Sequence, residues 1–294
     1  MECLDKKITK IENVFNIGFY MNFNTTTENI KSYYHHSRKY YKLFHSKEGC
    51  MHFKLYSNEK KKIDIYGQSS IINKYIADKK GSKILEIGCG QGADIKYLSK
   101  RNKNVEFYGL DLCLPKEIKN KNKIMVRGDY HDLSLFESNS FDLIYAIETL
   151  CYSEEKTKVF KEINRVLKPN GLFIIFDGYF NKEGIELSEK EKIAVKLTDS
   201  GMAISKFEGI NSFEIKRKGF ELIERKDFTK DLLPSWKKYE RFSNIFIKFK
   251  LIRYLGLKII SKEALGNVIT GNLGYVLFEN EFYVYMIHVY EKIK

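Results

Sequence analysis

The segment Leu85-Glu86-Ile87-Gly88-Cys89-Gly90-Gln91-Gly92 constrains this chain more than any other. An apolar run ends in a turn with spaced glycines, and a helical pattern begins directly after it. Glycines at such a point let the backbone turn tightly and approach a ligand closely, so the motif predicts a strand, a binding turn and a helix. Gly88, Gly90 and Ala93 also satisfy the dinucleotide fingerprint, so this spacing alone leaves more than one cofactor class open.

Around the motif, short apolar runs alternate with amphipathic stretches. Runs at 83–87, 105–110, 123–126, 141–147 and 172–176 are separated by helical patterns such as 92–101 and 154–167. Strands separated by helices of that length predict βαβ units and a mostly parallel sheet. Two more strands are expected at 220–225, after a helix ending near Lys218-Gly219, and at the alternating aromatic run 282–290. The expected fold class is therefore α/β, a doubly wound, mostly parallel, seven-stranded sheet.

Residues 1–80, with their stretch of Tyr and His, read as an N-terminal helical cap segment. Thr25 and Glu28 offer a capping box for a helix running to about Leu43, and a second helix is expected over 65–78. Residues 81–229 read as the cofactor-binding core, 230–280 as a helical substrate cap inserted before the last strand, and 281–294 as that strand. Within the insertion, Leu232, Leu233, Trp236, Phe242, Ile245, Phe246, Phe249 and Ile252 make an apolar stripe at near-helical spacing, which favours core packing.

Composition narrows the class of protein. At 43% hydrophobic and 30% charged residues, the 294-residue chain can bury a sizeable core. No run of eighteen apolar residues exists, and MECLDKKITK lacks the apolar core of a secretory signal, so the expected compartment is the cytoplasm. Cys3, Cys50, Cys89, Cys113 and Cys151 show no CxxC spacing, and no His/Asp/Glu spacing demands an ion. Reduced thiols and no metal are expected. The net charge of +13 comes mainly from lysines spread along the chain, apart from Lys60-Lys61-Lys62 and a looser stretch over 237–258. It reads first as a solvated face.

Three acids separate the cofactor classes. Glu86 puts a carboxylate at the end of the first strand, where it suits a cationic sulfonium or ammonium and would repel a pyrophosphate. Asp111, in Gly109-Leu110-Asp111-Leu112, ends the next strand where ribose hydroxyls would lie. Asp129, in Gly128-Asp129-Tyr130, follows the third and can accept from an adenine amino group. Acids at three consecutive strand ends describe a crevice for a nucleoside that carries positive charge and no phosphate.

With these residues in place, the sequence resembles the class I S-adenosylmethionine-dependent methyltransferases. The resemblance runs through LEIGCGQG, GLDL at 109–112, RGDY at 127–130, FDLIYAIETLCY at 141–152 and EINRVLKPNGLFIIFD at 162–177. It is nearest to the sterol C-methyltransferase and tocopherol methyltransferase branch, also through Tyr33–Phe53 and Leu233-Pro234-Ser235. It implies a Rossmann-like sheet, S-adenosylmethionine as cofactor, and a cofactor site at Glu86, Gly88, Cys89, Gly90, Gly92, Asp111, Leu112, Gly128, Asp129, Tyr130 and Ile147. It also implies that Glu148 faces the acceptor and that the N-terminal segment folds over the site.

In that branch the acceptor is an alkene carbon, so a carbocation follows transfer, and carboxylates, aromatic faces and a base are called for. Glu148, Tyr33, His52 and Tyr152 are the expected catalytic residues. Asp177, Tyr34, His35 and His36 are near candidates. Thr149-Leu150-Cys151-Tyr152 stands where the sterol enzymes carry small residues and histidine, which points away from sterol itself. The leading expectation is methyl transfer to carbon of a small lipophilic acceptor: an isoprenoid, a steroid-like compound or a prenylated quinol. Peripheral membrane contact through 230–260 and a homodimer are further expected partners. Open alternatives are an N- or O-methyltransferase of a small natural product, an RNA methyltransferase, an inactive cofactor-binding scaffold and a dehydrogenase. Nucleic acid is disfavoured, since no Asn/Asp-Pro-Pro-aromatic motif follows the fourth strand.

Overall fold

The computed structural model describes residues 4–57, 62–76, 81–120, 122–214 and 218–293. Helices α1 (Leu4–Glu12), α2 (Gly18–Met21) and α3 (Thr27–Tyr40) lead into a hairpin of β1 (Leu55–Ser57) and β2 (Lys62–Asp64), then α4 (Gly67–Ile72). The core follows as β3 (Lys83–Ile87), α5 (Ala93–Ser99), β4 (Glu106–Asp111), β5 (Ile118–Asn120) and β6 (Lys123–Arg127). It continues through β7 (Phe141–Ile147), α6 (Lys156–Val166), β8 (Leu167–Phe180), α7 (Glu189–Gly201), α8 (Ile210–Glu214) and β9 (Phe220–Asp227). Three helices, α9 (Thr229–Lys248), α10 (Lys250–Ile259) and α11 (Lys262–Glu279), precede β10 (Tyr283–Lys292).

The main sheet has the order β5-β6-β4-β3-β7-β8-β10-β9. Strands β6, β4, β3, β7 and β8 are parallel, whereas β5 on β6, β10 on β8 and β9 on β10 are antiparallel. The chain winds outward through β4 and β6 and then returns to the other side of β3 with β7. The crevice beyond the carboxyl ends of β3, β4 and β7 is thus where such a sheet places a ligand. Eight strands rather than seven are present. The addition is β5, three residues whose Lys119 and Asn120 are exposed, too short and polar to register as an apolar run.

Consecutive apolar residues in the central strands reflect cover on both faces. In β7, Leu143, Tyr145 and Ile147 join the buried cluster that also holds residues of α4, α5, α7, α9 and α11, while Phe141, Ile144 and Ala146 join the cluster with α6 and α8. The glycine-rich run of the insertion is helical, because packing overrides propensity there. Gly274 of α11 lies against Trp236 of α9, and a Cβ would sit 2.2 Å from that ring.

Several expectations shift. The cap of α3 is Thr26, which accepts from the Asn29 N–H at 3.1 Å, while Thr25 is drawn away to Ser205. The helix ends at Tyr40 and passes into a π-helical turn, Tyr41–His45. The expected helix over 65–78 contracts to α4, residues 77–78 lying outside the described residues, and the β1–β2 hairpin was not foreseen. The apolar stripe of the insertion divides: Leu232, Trp236 and Phe246 are buried, but Phe242, Ile245, Phe249 and Ile252 are exposed. Cys50, Cys89, Cys113 and Cys151 are free thiols; Cys3, Lys60 and Lys61 lie outside the described residues. No helix among the described residues is long and apolar enough to cross a membrane.

Candidate active site

The turn after β3 is built from backbone that only glycine adopts without strain. Gly88 has φ +68°, and a Cβ there would meet Thr149 Oγ1 at 2.3 Å. The Gly88 and Cys89 N–H groups donate to the Leu110 carbonyl at 2.7 and 3.2 Å, locking the turn onto β4. Asp111 Oδ2 accepts from the Gly90 N–H at 2.8 Å and Oδ1 from the Cys113 N–H at 2.6 Å. Its carboxylate therefore ties the glycine turn to the end of β4. Burial pushes Asp111 above the usual carboxylate range, and these two N–H donors work against the shift.

Glu86 is buried at the heart of the crevice and accepts from Tyr145 Oη at 3.0 Å. Burial, joined by the charge of Asp94, raises its pKa well above the ordinary value. Asp94 sits in the first turn of α5, and its carboxylate pairs with His52 Nε2 at 3.1 Å and takes a hydrogen bond from Ser69. His52 Nδ1 donates to the Phe53 carbonyl at 2.8 Å. Both ring nitrogens thus face acceptors, which suits an imidazolium. Burial alone would lower the His52 pKa, but the adjacent Asp94 charge holds it well above 6.5; burial would raise Asp94, but the His52 charge keeps it low in turn.

Glu148 follows β7 with φ +50°, a strained conformation for a residue with a side chain. Its N–H donates to the Phe176 carbonyl at 2.7 Å, fixing the turn. Oε1 accepts from the Phe53 N–H at 2.8 Å and from Tyr285 Oη at 2.9 Å. The N-terminal segment and the last strand therefore meet on this carboxylate. Burial lifts its pKa to about 7, with His52 opposing the rise. Asp177, accepting from the Cys151 and Gly178 N–H groups at 2.9 Å, is lifted by burial to about 6.

Across from these acids stand aromatic rings. Tyr33 and Tyr41 both donate to Asn267 Oδ1 of α11, at 2.8 and 3.2 Å. Tyr34 stacks edge-on against Tyr152 at 5.8 Å between centroids. Burial raises Tyr33, Tyr34 and Tyr152 well above 10, so all three are neutral phenols. Tyr239 donates to His45 Nδ1 at 2.9 Å, and His45, pushed by burial and by Lys54 to a pKa of about 3, is neutral.

The cavity between the two walls measures about 910 Å³, near the upper end for a small-molecule site. The expected catalytic positions Tyr33, His52, Glu148 and Tyr152 all line it. So do Glu86, Gly88, Cys89, Gly90, Asp111 and Leu112, together with Asp129, Tyr130 and Ile147. Gly92 and Gly128 do not. Gly92 heads α5 against Met125, and Gly128 packs under Leu110. Asp129 is turned partly to His131, whose N–H and Nδ1 it engages at 2.9 and 2.6 Å. His36 bonds back to Ser32 on its own helix, lies 3.9 Å from Glu263 and does not line the cavity.

Sequence reasoning missed Asp94, Tyr41, Tyr239, Asn267 and Tyr285. Asp94 carried one legible signal, an acid in the first turn after the glycine motif; the rest reach the cavity through tertiary packing alone. Cys50, His52 and Asp94 also place ligand-type atoms within 4.8 Å of one another, a grouping their sequence spacing does not reveal.

The residues present fit a nucleoside-bearing sulfonium. A Cβ at Gly90 would meet nothing within 4 Å, so that turn opens onto free space. Gln91 Nε2 is a buried donor without a partner, available to a carboxylate, while Glu86 and Asp111 supply charge for a cation and acceptors for hydroxyls.

Comparison with known proteins follows this geometry. Residues 85–175 match the family described as a methyltransferase domain. A sterol 24-C-methyltransferase of Aspergillus fumigatus is 30% identical over 171 residues, covering 51% of this chain and 42% of the relative. A cycloartenol-C-24-methyltransferase of Arabidopsis thaliana is 29% identical, covering 53% and 49%. The chain spans about half the length of the curated relatives it matches. Among solved structures, a cyclopropane synthase from Mycobacterium tuberculosis shares the fold with TM-score 0.74 at 14% identity, covering 92% of this chain and 100% of that one. A geranyl diphosphate C-methyltransferase from Streptomyces coelicolor, solved with Mg2+, geranyl diphosphate and S-adenosyl-L-homocysteine, does so with TM-score 0.60 at 13% identity, covering 91% and 98%. The chain carries a class I S-adenosylmethionine-dependent methyltransferase domain related to the sterol C-methyltransferase branch.

Proposed function

We propose that the protein methylates a small lipophilic acceptor at carbon, the acceptor being an isoprenoid, a steroid-like compound or a prenylated quinol. The observation that carries this reading is Glu148. It is a half-buried carboxylate with its pKa near 7, in strained backbone, lining a cavity whose opposite wall is made of rings. A titratable acid in such surroundings serves to stabilise cationic character on an alkene carbon or to remove the proton that transfer leaves behind. The rings of Tyr33, Tyr41 and Tyr152 offer neutral π faces to the same charge and bring no competing anion.

Residues Glu86, Gly90, Gln91 and Asp111 would hold S-adenosylmethionine, which supplies the methyl group. Asp129 and Tyr130 would flank its base. Tyr34, Tyr152 and the π-helical turn after α3 line the cavity and would shield bound reactants from water, which methyl transfer needs more than it needs acid–base chemistry. The curated relatives named above are sterol methylases, and one fold neighbour is named for geranyl diphosphate; both acceptors are isoprenoid. Cys151, raised by burial and by Asp177, is a poor nucleophile, which speaks against base methylation through a cysteine after the fourth core strand. The reading includes residues 1–80 and 230–280 as the acceptor cap, with membrane contact through 230–260.

The test is incubation with methyl-labelled S-adenosylmethionine and a panel of prenyl, sterol and quinol acceptors, with the new methyl located by NMR. Label on carbon of a lipophilic acceptor supports the proposal. Label only on nitrogen or oxygen replaces it with the natural-product alternative.

A further inference from the structure

We infer that α10 and the end of α9 form a docking surface for an anionic lipid bilayer, and that the acceptor enters the cavity from that side. The inference rests on the lipophilic-acceptor reading and names where such an acceptor would come from. More than half of the exposed large apolar side chains among the described residues fall between Phe242 and Ile259. Leu251 is 70% exposed and Ile259 71%. Soluble surfaces carry such side chains singly, whereas a contiguous group marks an interaction face.

Helix α10 presents two neighbouring lines of residues at four-residue spacing. Ile252, Gly256 and, just past the helix, Ile260 line the cavity. Leu251, Leu255 and Ile259, each one position earlier, are exposed. Residues four apart stack on one face of a helix, so one stripe of α10 borders the cavity, with Ile252 itself still 47% exposed at its edge, and the adjacent stripe is bare apolar surface. Phe44, 74% exposed, also lines the cavity, and its turn is tied to α9 by the bond between Tyr239 and His45. Cavity and apolar face therefore share a rim.

Charge selects the occupant. From 237 to 258 the chain carries Lys237, Lys238, Arg241, Lys248, Lys250, Arg253 and Lys258. The lone acid of that stretch, Glu240, is engaged by Lys7. Long basic side chains beside exposed leucine and isoleucine match an interface helix on anionic headgroups, with apolar atoms in the acyl boundary and ammonium groups at the phosphates. A second copy of the chain would set this positive face against itself. At ten residues α10 is too short to cross a bilayer, so it lies in the interface plane.

The experiment is co-sedimentation with vesicles of phosphatidylcholine and phosphatidylglycerol in equal parts, compared with phosphatidylcholine alone. The wild-type chain, L251E/I259E and K250E/K258E are run side by side, with S-adenosylmethionine titration and light scattering on each. The expected result is salt-sensitive binding of wild type to anionic vesicles, weakened by roughly tenfold or more in both variants while cofactor affinity stays unchanged. Wild type left in the supernatant with both vesicles overturns the inference. So does a wild-type dimer that L251E/I259E converts to monomer without a change in vesicle binding. Loss of cofactor binding by well-folded wild type would instead strike the methyltransferase reading, independently of the vesicles.

Discussion

Along the ends of β3, β4 and β7 the cavity wall is made of tight backbone turns and carboxylates, whereas α3, the 41–45 turn, α9 and α11 face it with rings and a carboxamide. The first wall is assembled within one βαβ unit, where the Gly88 N–H donates to the Leu110 carbonyl and the Gly90 N–H to Asp111. The second is assembled across the whole chain: Tyr33 meets Asn267 and Phe53 meets Glu148. A wall of short-range contacts can fix a charged ligand closely. A wall of long-range apolar contacts sets shape, and it can change its acceptor without disturbing the other side.

Glu148 belongs to both walls, and removing its charge is the sharpest way to separate them. Glu148→Gln should lower kcat by about 100- to 10,000-fold, while S-adenosylmethionine affinity stays within a few-fold in calorimetry. The same variant should be more stable than wild type above neutral pH. Glu148 titrates near 4.5 when unfolded and near 7 when folded, so between those values the folded state keeps a proton the unfolded state has released. Stability from this group therefore falls as pH rises from about 4.5 to 7 and stays low above it, by about 3 kcal/mol in total. Asp199, lifted by burial to about 7, and Asp177 act in the same direction. Urea midpoints for the variant and wild type at acid and alkaline pH measure the difference. An equal gap at both would mean that Glu148 is not the titrating group.

The next largest effect falls on the backbone-and-carboxylate wall. Asp111→Ala removes the acceptor of the Gly90 N–H in the glycine turn and that of the Cys113 N–H after β4, and Glu86→Ala removes the acid buried behind the turn. Each should weaken S-adenosylmethionine by about 10- to 100-fold, the scale of a charged hydrogen bond. A large fall in kcat at saturating cofactor, with affinity intact, would show that the two walls are less independent than this comparison holds.

That division also explains what was legible beforehand. Short apolar runs and glycines at a strand end are local signals, so the succession of strands along the chain, and the acids that stand at their ends at 86, 111 and 148, could be read from the sequence. Asp94 was hidden because an acid in a first helical turn has an ordinary role there. Tyr285 was hidden inside a strand whose alternating aromatics read only as sheet. Asn267 lay in a glycine-rich stretch that packing alone makes helical. The exposure of Leu251 and Ile259 could not be read at all, since periodicity reports that a helix has an apolar stripe but not which neighbour covers it.

A smaller effect should come from pH acting on the cofactor wall. Burial raises both Glu86 and Asp111 above the ordinary carboxylate range, yet a sulfonium is held best by ionised acids. Binding should therefore release protons, and affinity should climb with pH, by at most about tenfold per unit for each proton released, until both acids are ionised in the free protein. Calorimetry in two buffers of different ionisation enthalpy reads the proton count directly. Proton uptake, or affinity flat with pH, would remove these acids from cofactor recognition.

The smallest effect tests the aromatic wall from within. In Tyr33→Phe the ring remains, and only the hydroxyl shared with Tyr41 and Asn267 is lost. Asn267 still accepts from Tyr41, so the cost to stability should be about 1 kcal/mol, the worth of one hydrogen bond with a surviving partner. If the ring face is what the reaction uses, turnover should change only a few-fold, and cofactor affinity not at all. Tyr33→Leu keeps the apolar volume but removes the π face, and it should lower kcat by roughly tenfold more than Tyr33→Phe does. Equal turnover in the two variants would mean that this wall contributes shape alone. The stabilisation of positive charge would then fall entirely to Glu148 and Asp177, on the other side of the cavity.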